Sequence, residues 1–322
     1  MIKKERKIPI IILQYEALLR RIPENHPKRP YILEELAKSK AGYNGEKSVD
    51  YHLALIDQKK YYIYHGLRLE IGPHIFQIDS LLVSKSLLIL IETKNILGTL
   101  YFDDHFSQLI RTLNGVETGF SDPRLQVDRQ ETLLQQFLKQ NHITCPPFKS
   151  LVVISNPSSI IKAPSSLKKT SIIHGANLPS LIKKLESSHP NEILSDNEWN
   201  KLSRVLLKKH TLSIRNILPK FNLNAKDLIQ GVYCPNCQLL PMDRTFSSWS
   251  CQHCRFSSRS VYLHSLIDYA LLVSREITNK QAREFLLLPS KSSAYNLLRT
   301  FEHSGETKGR KYQLSSLLEP YR

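Results

Sequence analysis

The sequence predicts an α/β domain with a mixed β-sheet flanked by helices, followed by a cysteine-containing module and a small α domain. Three observations lead to this prediction: an apolar hairpin within 76–95, alternating helix and strand patterns across 42–190, and two C-x2-C pairs in the C-terminal third. We expect the chain to divide into consecutive parts. Their bounds are 1–41, 42–190, 191–228, 229–258 and 259–322.

The chain is strongly basic for its length. Its 322 residues carry a net charge of +16, and 41% of them are hydrophobic, which is ample for more than one folded core. The positive charge favours a polyanionic partner, with nucleic acid as the leading class, and a basic protein without such a partner is the alternative. No apolar run reaches the roughly 18 residues of a membrane span, so we expect a cytoplasmic protein with no membrane partner.

The first part, residues 1–41, is basic and broken by prolines. We expect it to be a lead-in segment with short helices at 11–21 and 31–40.

Apolar residues then recur at helical spacing, which predicts a helix over 45–57. Glu46 lies in the first turn of that helix. Its carboxylate either interacts with the positive end of the helix dipole or reaches the charged residues of the hairpin, and the residues alone favour the first interpretation.

Two apolar strands joined by a tight turn at 84–86 form the predicted centre of the α/β domain. Three charged residues interrupt them: Asp79, Glu92 and Lys94. A hairpin that closes at this turn brings Asp79 opposite Glu92 or one residue from it, and Glu92 and Lys94 project from one face. Two carboxylates and an ammonium suit a hard divalent cation, with the carboxylates as ligands and the lysine facing the substrate. The alternative is that these charges lie on a solvated face or protect a sheet edge.

The remaining elements of this domain alternate between strands and helices, which is the order of a mixed sheet. Asp122 followed by Pro123 is a strong helix start, and Gln126 lies in the first turns of that helix, where polar residues are usually just solvated. The predicted strands are 61–69, a short strand containing Leu100 and Phe102, 151–154 and 171–174, and the predicted helices are 123–140 and 178–185.

Four motifs within this domain belong together. They are G-E-K-S-V from Gly45, F-Q-I-D-S-L-L from Phe76, I-E-T-K-N from Ile91 with Gly98 following, and D-P-R-L-Q-V from Asp122. In this order and at these spacings they resemble the nuclease-related domain (NERD) family, which is placed in the PD-(D/E)XK nuclease superfamily. The resemblance covers about residues 42–150. It implies a restriction-endonuclease-like mixed sheet and nuclease-like chemistry.

The resemblance also implies a role for each residue of the site. Asp79 corresponds to the first acid of the motif, and Glu92 and Lys94 to its E-x-K. Glu46 corresponds to the helix glutamate and Gln126 to the downstream glutamine. Asp79 and Glu92 would then bind Mg²⁺ or Mn²⁺, with Glu46 reaching the ion through water. Lys94 would orient the attacking water or stabilise charge on the phosphorus, and Gln126 would position the phosphate or the lysine.

Two cysteine pairs follow a helical connector that we expect over 191–228. Cys234 and Cys237 form the first C-x2-C pair, and after 13 residues Cys251 and Cys254 form the second. Four thiolates in this arrangement give a closed tetrahedral Zn²⁺ site with a structural role, and the module resembles a zinc ribbon. The alternatives are disulfides, which a reducing compartment disfavours, and a redox-active C-x-x-C.

The last part of the chain, 259–322, has the pattern of helix, turn, helix and basic hairpin. We expect helices at 261–273, 278–285 and 291–301, followed by a short basic strand. This order resembles a winged helix-turn-helix. The alternative is a three-helix packing domain with a polar face. The residues expected to contact nucleic acid are Lys291, Ser292, Tyr295, Asn296, Arg299, Arg310 and Lys311.

Together these parts predict a cytoplasmic, bacterial protein that binds nucleic acid, with DNA favoured, and cleaves it with a divalent metal in DNA processing, repair or defence. One alternative is a DNA-binding or regulatory protein whose nuclease-like domain is catalytically silent. A further alternative is a protein-interaction module, which predicts weak DNA affinity despite the net charge of +16.

Overall fold

A computed structural model describes residues 1–164, 172–306 and 309–321. The chain forms two compact units, and each unit is built from two separate segments. Unit 1 comprises Met1–Lys7 and Lys40–Leu212, and unit 2 comprises Ile8–Ser39 and Ser213–Arg322.

The secondary-structure elements of the described residues are numbered in chain order. The helices are α1 (Ile10–Arg20), α2 (Arg29–Leu53), α3 (Pro123–Gln140), α4 (Leu178–Ser188), α5 (Asp196–Lys209), α6 (Tyr262–Leu272), α7 (Asn279–Leu286) and α8 (Lys291–Leu298). The strands of the first part are β1 (Ile2–Lys4), β2 (Tyr62–Ile71), β3 (His74–Val83), β4 (Leu88–Lys94), β5 (Thr99–Asp103), β6 (Gln108–Leu113), β7 (Val116–Ser121), β8 (Phe148–Ile154), β9 (Ile160–Lys162) and β10 (Ile172–His174). The later strands are β11 (Asp243–Arg244), β12 (Trp249–Ser250), β13 (Ser257–Ser258), β14 (Glu276–Thr278), β15 (His303–Ser304) and β16 (Lys311–Gln313).

A mixed sheet forms the centre of unit 1. Its described strands lie in the order β1-β2-β3-β4-β8-β10. β2, β3 and β4 are antiparallel neighbours, whereas β8 is parallel to β4 and to β10, and β1 is parallel to β2. Apolar residues of α3 and α5 pack on one face of the sheet, and those of α2 and α4 pack on the other. The prediction of a mixed sheet flanked by helices is therefore confirmed.

Strand β4 is buried on both faces. Leu88 and Leu90 belong to the core on the α3 side, and Ile89 and Ile91 belong to the core on the α2 side. A strand that is covered on both faces requires a continuous apolar run, which explains the sequence L-I-L-I at this point. Glu92 and Lys94 come directly after this run, so a rigid and fully packed strand supports them.

A second sheet in unit 1 has the order β7-β6-β5-β9. The sequence predicted β5 but neither β6 nor β7, because most of their residues are exposed or half-buried and lack the apolar alternation of a strand. The turn between them is Asn114-Gly115, with φ of 52° and 78°. Asn-Gly between two strands is a strong hairpin signal, and it could have revealed this hairpin from the sequence.

The helices predicted at 31–40 and 45–57 are in fact one helix, α2, which ends at Leu53. Gly42 and Gly45 lie near the boundary between the two predicted helices, and glycine inside a helix is less favourable than alanine by about 1 kcal/mol. Gly45 nevertheless serves a purpose here. A Cβ atom at this position would lie 2.5 Å from Asn95 Cβ and 2.8 Å from Ser155 Oγ. The glycine thus allows α2 to pass close to the end of β4, which brings Glu46 towards the charged residues there.

Helix α3 begins where the sequence predicts. The Asp122 carboxylate accepts a hydrogen bond of 2.8 Å from the backbone N–H of Arg124, and Pro123 occupies the first helical position. Leu134 and Phe137 anchor the helix in the core. This packing fixes the first turns of α3 beside β4, where its glutamines contact Glu92 and Lys94.

In unit 2, helices α1 and α6 enclose a buried ion pair. The Asp268 side chain is fully buried, and its carboxylate accepts hydrogen bonds from Arg21 Nε at 2.9 Å and from Arg20 Nη2 at 2.7 Å. Arg21 also donates to the carbonyl oxygens of Ile229 and Gly231, at 3.0 and 2.8 Å. These bonds offset part of the lost hydration of both charges, although burial still lowers the pKa of Arg21.

The C-terminal region of unit 2 has the order α6-β14-α7-α8-β15-β16, and its small sheet has the order β14-β16-β15. The side chains of Thr278 and Ser290 cap α7 and α8, as their positions in the sequence predict. Helix α8 ends at Leu298, three residues before the predicted end at residue 301. Among the described residues, no helix is both long enough and apolar enough to cross a membrane.

Candidate functional site

The hairpin β3–β4 brings Asp79 and Glu92 to the same place in the sheet. The last paired residues are Ser80 and Ile91, so one further step along both strands sets Asp79 opposite Glu92. The backbone N–H of Thr93 donates a hydrogen bond of 2.9 Å to Asp79 Oδ2. The turn at 84–86 therefore produces the juxtaposition that the sequence predicted.

Glu92 and Lys94 form the centre of a hydrogen-bonded group with helix α3. Lys94 Nζ donates to Glu92 Oε1 at 2.7 Å and to Gln126 Oε1 at 3.0 Å. Gln130 Nε2 donates to Glu92 Oε2 at 3.0 Å and to the carbonyl of Gln77 at 2.8 Å. The Glu92 side chain is 3% exposed, whereas that of Lys94 is 25% exposed. The ammonium therefore lies between the buried carboxylate and the solvent.

Glu46 lies near this group but is held by a different partner. Its carboxylate accepts a hydrogen bond from Arg6 Nη1, and Arg6 Nε donates to Asp50 Oδ2 at 2.6 Å. Arg6 Nη2 also donates to the backbone carbonyl of Asp79 at 3.1 Å. Glu46 thus takes part in an ion pair at the edge of the site, which neither interpretation of the sequence included.

The carboxylates crowd negative charge into a buried region. Burial raises the pKa of Asp79 well above its usual range, the charges of Glu92 and Glu46 raise it further, and the bond from Thr93 partly offsets this. Burial also raises the pKa of Glu46 to about 7, because the attraction of Arg6 does not fully compensate the lost hydration. A divalent cation is the kind of ligand that would relieve such crowding.

The donor set fits a hard divalent cation. Asp79 and Glu92 offer carboxylate oxygens from adjacent strands, which are the ligands that Mg²⁺ and Mn²⁺ prefer. In the described part of the chain, Glu46, Asp79 and Glu92 do not form a cluster whose ligand oxygens all lie within 4.8 Å of one another. In this arrangement Asp79 and Glu92 are the candidate direct ligands, and Glu46 is suited to contact through water.

Two residues of the site, Arg6 and Gln130, were not predicted from the sequence. Arg6 could not be found, because 40 or more residues separate it from each partner, and no local pattern records such a contact. Gln130 had a weak signal, since it lies four residues after Gln126 on the same side of α3. Its 3% exposure and its bond to Glu92 distinguish it from a solvated glutamine.

The four cysteines of unit 2 form a second candidate metal site. The Sγ atoms of Cys234 and Cys254 are 3.5 Å apart, as are those of Cys237 and Cys251, and all four lie within 4.8 Å of one another. Each C-x2-C turn is tight: the residue after the pair has positive φ and donates its N–H to the carbonyl of the first cysteine. Four thiolates at these distances can hold a structural Zn²⁺.

The strands β11, β12 and β13 form an antiparallel sheet beside the cysteines. Trp249 on β12 is 2% exposed, and the Arg244 guanidinium lies 5.0 Å from the centre of its indole ring. A module of so few residues buries little apolar surface, which is typical of modules that a bound metal stabilises.

The structure places most of the predicted nucleic-acid contacts on one exposed face of α8. Ala294 and Leu298 face the core, and the opposite residues are in contact with solvent. Arg310 is half-buried, and Lys311 pairs with Glu276 at 3.2 Å. The exposed residues on or next to α8 are Lys291, Ser292, Tyr295, Asn296 and Arg299.

The mixed sheet, with Asp79 and Glu92 on its β3–β4 hairpin, defines an α/β domain with a candidate site for a divalent metal. Residues 41–155 match the family model described as the nuclease-related domain (NERD). This part of the chain is therefore a nuclease-related domain. Such domains are placed in the PD-(D/E)XK superfamily. Comparisons with curated proteins and with solved structures give no significant match.

Proposed function

We propose that the nuclease-related domain hydrolyses phosphodiester bonds in nucleic acid, with DNA as the favoured substrate, and uses Mg²⁺ or Mn²⁺. The observation that supports this most is the position of Asp79 opposite Glu92, at the end of the buried part of the β3–β4 hairpin, with Lys94 beside them. Isolated buried carboxylates would be costly, so their presence here calls for a functional explanation. The match of residues 41–155 to the nuclease-related domain points to the same chemistry.

Asp79 and Glu92 would hold the ion. When bound, the ion supplies charge neutralisation at the phosphate oxygens and lowers the pKa of a bound water. Lys94 presents its ammonium at the solvent side of Glu92, where it can bind the phosphate or orient the attacking water. Gln126 restricts the position of that ammonium, and Gln130 fixes the carboxylate of Glu92.

The test uses the full-length, zinc-loaded protein with supercoiled plasmid and with labelled single- and double-stranded oligonucleotides, in Mg²⁺, Mn²⁺ or EDTA. We expect metal-dependent cleavage that falls at least about 100-fold in Asp79→Asn, Glu92→Gln and Lys94→Met. Lys85→Met is the matched control. Lys85 is likewise ion-paired, with Glu192 and Asp196 at 3.1 Å, but lies at the turn end of the same hairpin.

Circular dichroism and thermal melting establish that each variant is folded. Cleavage that persists in folded Asp79→Asn and Glu92→Gln would overturn the assignment of the site. DNA binding without cleavage in every metal and on every substrate would favour the alternative, in which the domain is a catalytically silent part of a regulatory protein.

We also propose that the C-terminal region of unit 2 binds DNA as a winged helix-turn-helix. The order α6-β14-α7-α8-β15-β16 supports this, because α8 follows α7 through a short turn and a β-hairpin follows α8. The exposed face of α8 carries Tyr295, Asn296 and Arg299, which are suited to base edges and phosphates. The net charge of +16 supports a polyanionic partner.

Fluorescence anisotropy with duplex DNA between about 50 and 200 mM salt tests this proposal. Arg299→Ala is expected to weaken binding and to reduce the slope of log K against log salt by about 1 if it contacts a phosphate. Lys280→Ala is the control, since this exposed lysine lies on α7 and pairs with Glu284. Equal binding by wild type and by the variants Asn296→Ala and Arg299→Ala would contradict the proposal, and weak binding at any salt would favour a protein-interaction module.

A further inference from the structure

Arg6 lies outside the residues that match the nuclease-related domain, yet its side chain is buried beside the carboxylates of that domain. It follows the edge strand β1, which pairs with β2 in the register Ile2–Ile63 and Lys4–Tyr64. Its side chain is 6% exposed. A guanidinium is rarely buried to this extent, and its lost hydration must be compensated by carboxylates and hydrogen bonds.

The partners of Arg6 come from two elements that both carry site residues. On α2, Arg6 Nη1 donates to the Glu46 carboxylate. Arg6 Nε and Nη2 donate to the two carboxylate oxygens of Asp50, at 2.6 and 2.8 Å, in a bidentate fork. On β3, Nη2 donates to the carbonyl oxygen of Asp79 at 3.1 Å and to Ser80 Oγ at 2.9 Å. One planar group thereby fixes the distance between α2 and β3.

The charge of Arg6 matters as much as its hydrogen bonds. Glu46 and Asp50 lie one helical turn apart on α2, and the charge of Glu46 acts on Asp79. Without a cation between them, the acids of α2 would repel the acids of the hairpin. Glu46 would then turn towards solvent, and β3 would lose the contact that holds its main chain at Asp79.

We propose that Arg6 is a positioning residue for metal binding by Asp79 and Glu92. It holds the main chain of β3 so that the Asp79 carboxylate, fixed on its other side by Thr93, faces Glu92. It also keeps Glu46 at the edge of the site, where that carboxylate can contact the ion through water. This inference rests on the proposed function, and it makes the N-terminal segment a working part of the nuclease-related domain.

The test compares Mn²⁺ binding and cleavage in the full-length, zinc-loaded protein. Electron paramagnetic resonance of free Mn²⁺ gives the affinity, and Asp79→Asn defines which binding belongs to the site. In Arg6→Met we expect Mn²⁺ affinity to fall about 10- to 100-fold, the typical effect of losing a residue that orients metal ligands. The kcat should fall with it, whereas the KM for DNA should stay near that of wild type, because Arg6 is buried and does not contact the substrate.

Two further variants keep the test decisive if Arg6→Met does not fold. Arg6→Lys retains the charge but not the fork, so its Mn²⁺ affinity should lie between those of wild type and Arg6→Met. The double variant Arg6→Met with Asp50→Asn restores the charge balance of α2, and should fold while still binding Mn²⁺ weakly. Wild-type Mn²⁺ affinity in Arg6→Lys and in this double variant would overturn the proposal. Lys85→Met serves again as the control for loss of an ion-paired cation.

The outcome separates this inference from the proposed function. If wild type binds Mn²⁺ at Asp79 but cleaves nothing, the proposed function fails, and the effect of Arg6 is judged on Mn²⁺ affinity alone. If wild type and Asp79→Asn bind Mn²⁺ equally, no metal binds at the hairpin, and both proposals are overturned.

Discussion

At the scale of single residues, the site is a balance between buried acids and the groups that hold them. Glu92 has both carboxylate oxygens occupied, one by Lys94 and one by Gln130. Removing one partner from a buried charge usually costs about 3–5 kcal/mol, because the remaining charge stays uncompensated. Apolar side chains at these positions would avoid this cost, and the proposed metal binding offers a reason for acids here.

His65 gives a pH dependence that can be measured. Its side chain is buried against Ser80 and Arg6, and burial lowers its pKa to about 4, which nearby Asp50 only partly offsets. The unfolded chain, with a histidine pKa of about 6.5, binds more protons between those two values. The contribution of His65 to the free energy of unfolding is therefore fully present above pH 6.5 and is lost progressively as the pH falls towards 4.

When the pH falls from neutral to about 4.5, we expect the free energy of unfolding, measured in urea, to decrease less for His65→Gln than for wild type. The raised pKa of Glu46, about 7, acts in the opposite direction, so the difference between wild type and variant is the informative quantity. His105→Gln, at an exposed histidine of the same unit, is the control. Parallel pH profiles for wild type and His65→Gln would show that His65 does not titrate as its burial indicates.

At this scale the sequence predicted the residues whose contacts are local. Asp79, Glu92 and Lys94 meet through one tight turn, so an apolar run with three charges was enough to place them together. Arg6 and His65 were not predictable, because their contacts with α2 and β3 depend on the pairing of β1 with β2 and of β2 with β3. Of these two pairings, that of β1 with β2 joins segments that are distant in the sequence, since Ile2 lies opposite Ile63.

At the scale of elements, helix α2 is positioned by the absence of a side chain at Gly45. A Cβ atom there would lie 2.5 Å from the side chain of Asn95, whereas a Cβ atom at Gly42 would meet nothing within 4 Å. We expect Gly45→Ala to destabilise the protein by about 1–3 kcal/mol, since α2 or β4 must move. Gly42→Ala should instead stabilise it, by up to about 1 kcal/mol, because alanine is the better helix former.

Urea unfolding followed by circular dichroism measures both variants, and Gly42→Ala serves as the control for the effect of helix propensity. Equal stabilisation by the two substitutions would contradict the close approach of α2 to β4. Because this approach brings Glu46 towards the hairpin, Gly45→Ala should also reduce any metal-dependent cleavage, whereas Gly42→Ala should not.

We predict that the cysteine module depends on Zn²⁺ for its fold. Its strands are two residues long and its apolar core is small, so the thiolates must supply much of its stability. We expect one Zn²⁺ per chain by elemental analysis, with loss of that zinc and of near-ultraviolet signal from Trp249 on treatment with a strong chelator. Cys251→Ser should have the same effect, whereas Cys145→Ser, at an exposed cysteine outside the cluster, should leave the zinc content unchanged. Full zinc content in Cys251→Ser would contradict a four-cysteine site.

The elements differ in how strongly a sequence pattern predicts them. β4 and α3 were predictable, because one is a continuous apolar run and the other begins with a capping pair. β7 was not, because nearly all of its residues are exposed and it carries no apolar pattern. Its only signal was the Asn-Gly turn, which is conformational and not hydrophobic.

At the scale of the whole molecule, each compact unit contains an N-terminal and a later segment. Within unit 2, helix α1 supplies the partners of the buried Asp268 on α6, from residues almost 250 positions earlier in the chain. No local pattern carries a contact of this range. The folding of unit 2 therefore depends on Ile8–Ser39 as well as on the segment that begins at Ser213.

The ion pair between Arg21 and Asp268 tests this dependence. Asp268→Ala leaves two arginines without their shared carboxylate, and Arg21 is completely buried, so we expect a loss of about 3–5 kcal/mol in the stability of unit 2. Hydrogen exchange resolved by peptide should show faster exchange in α1 and α6, while β3 and β4 of unit 1 keep their protection. Glu276→Ala, at a half-exposed acid of unit 2 that pairs with Lys311, is the control and should have little effect. If Asp268→Ala left the exchange of α1 unchanged, the buried pair would not be what joins the two segments of this unit.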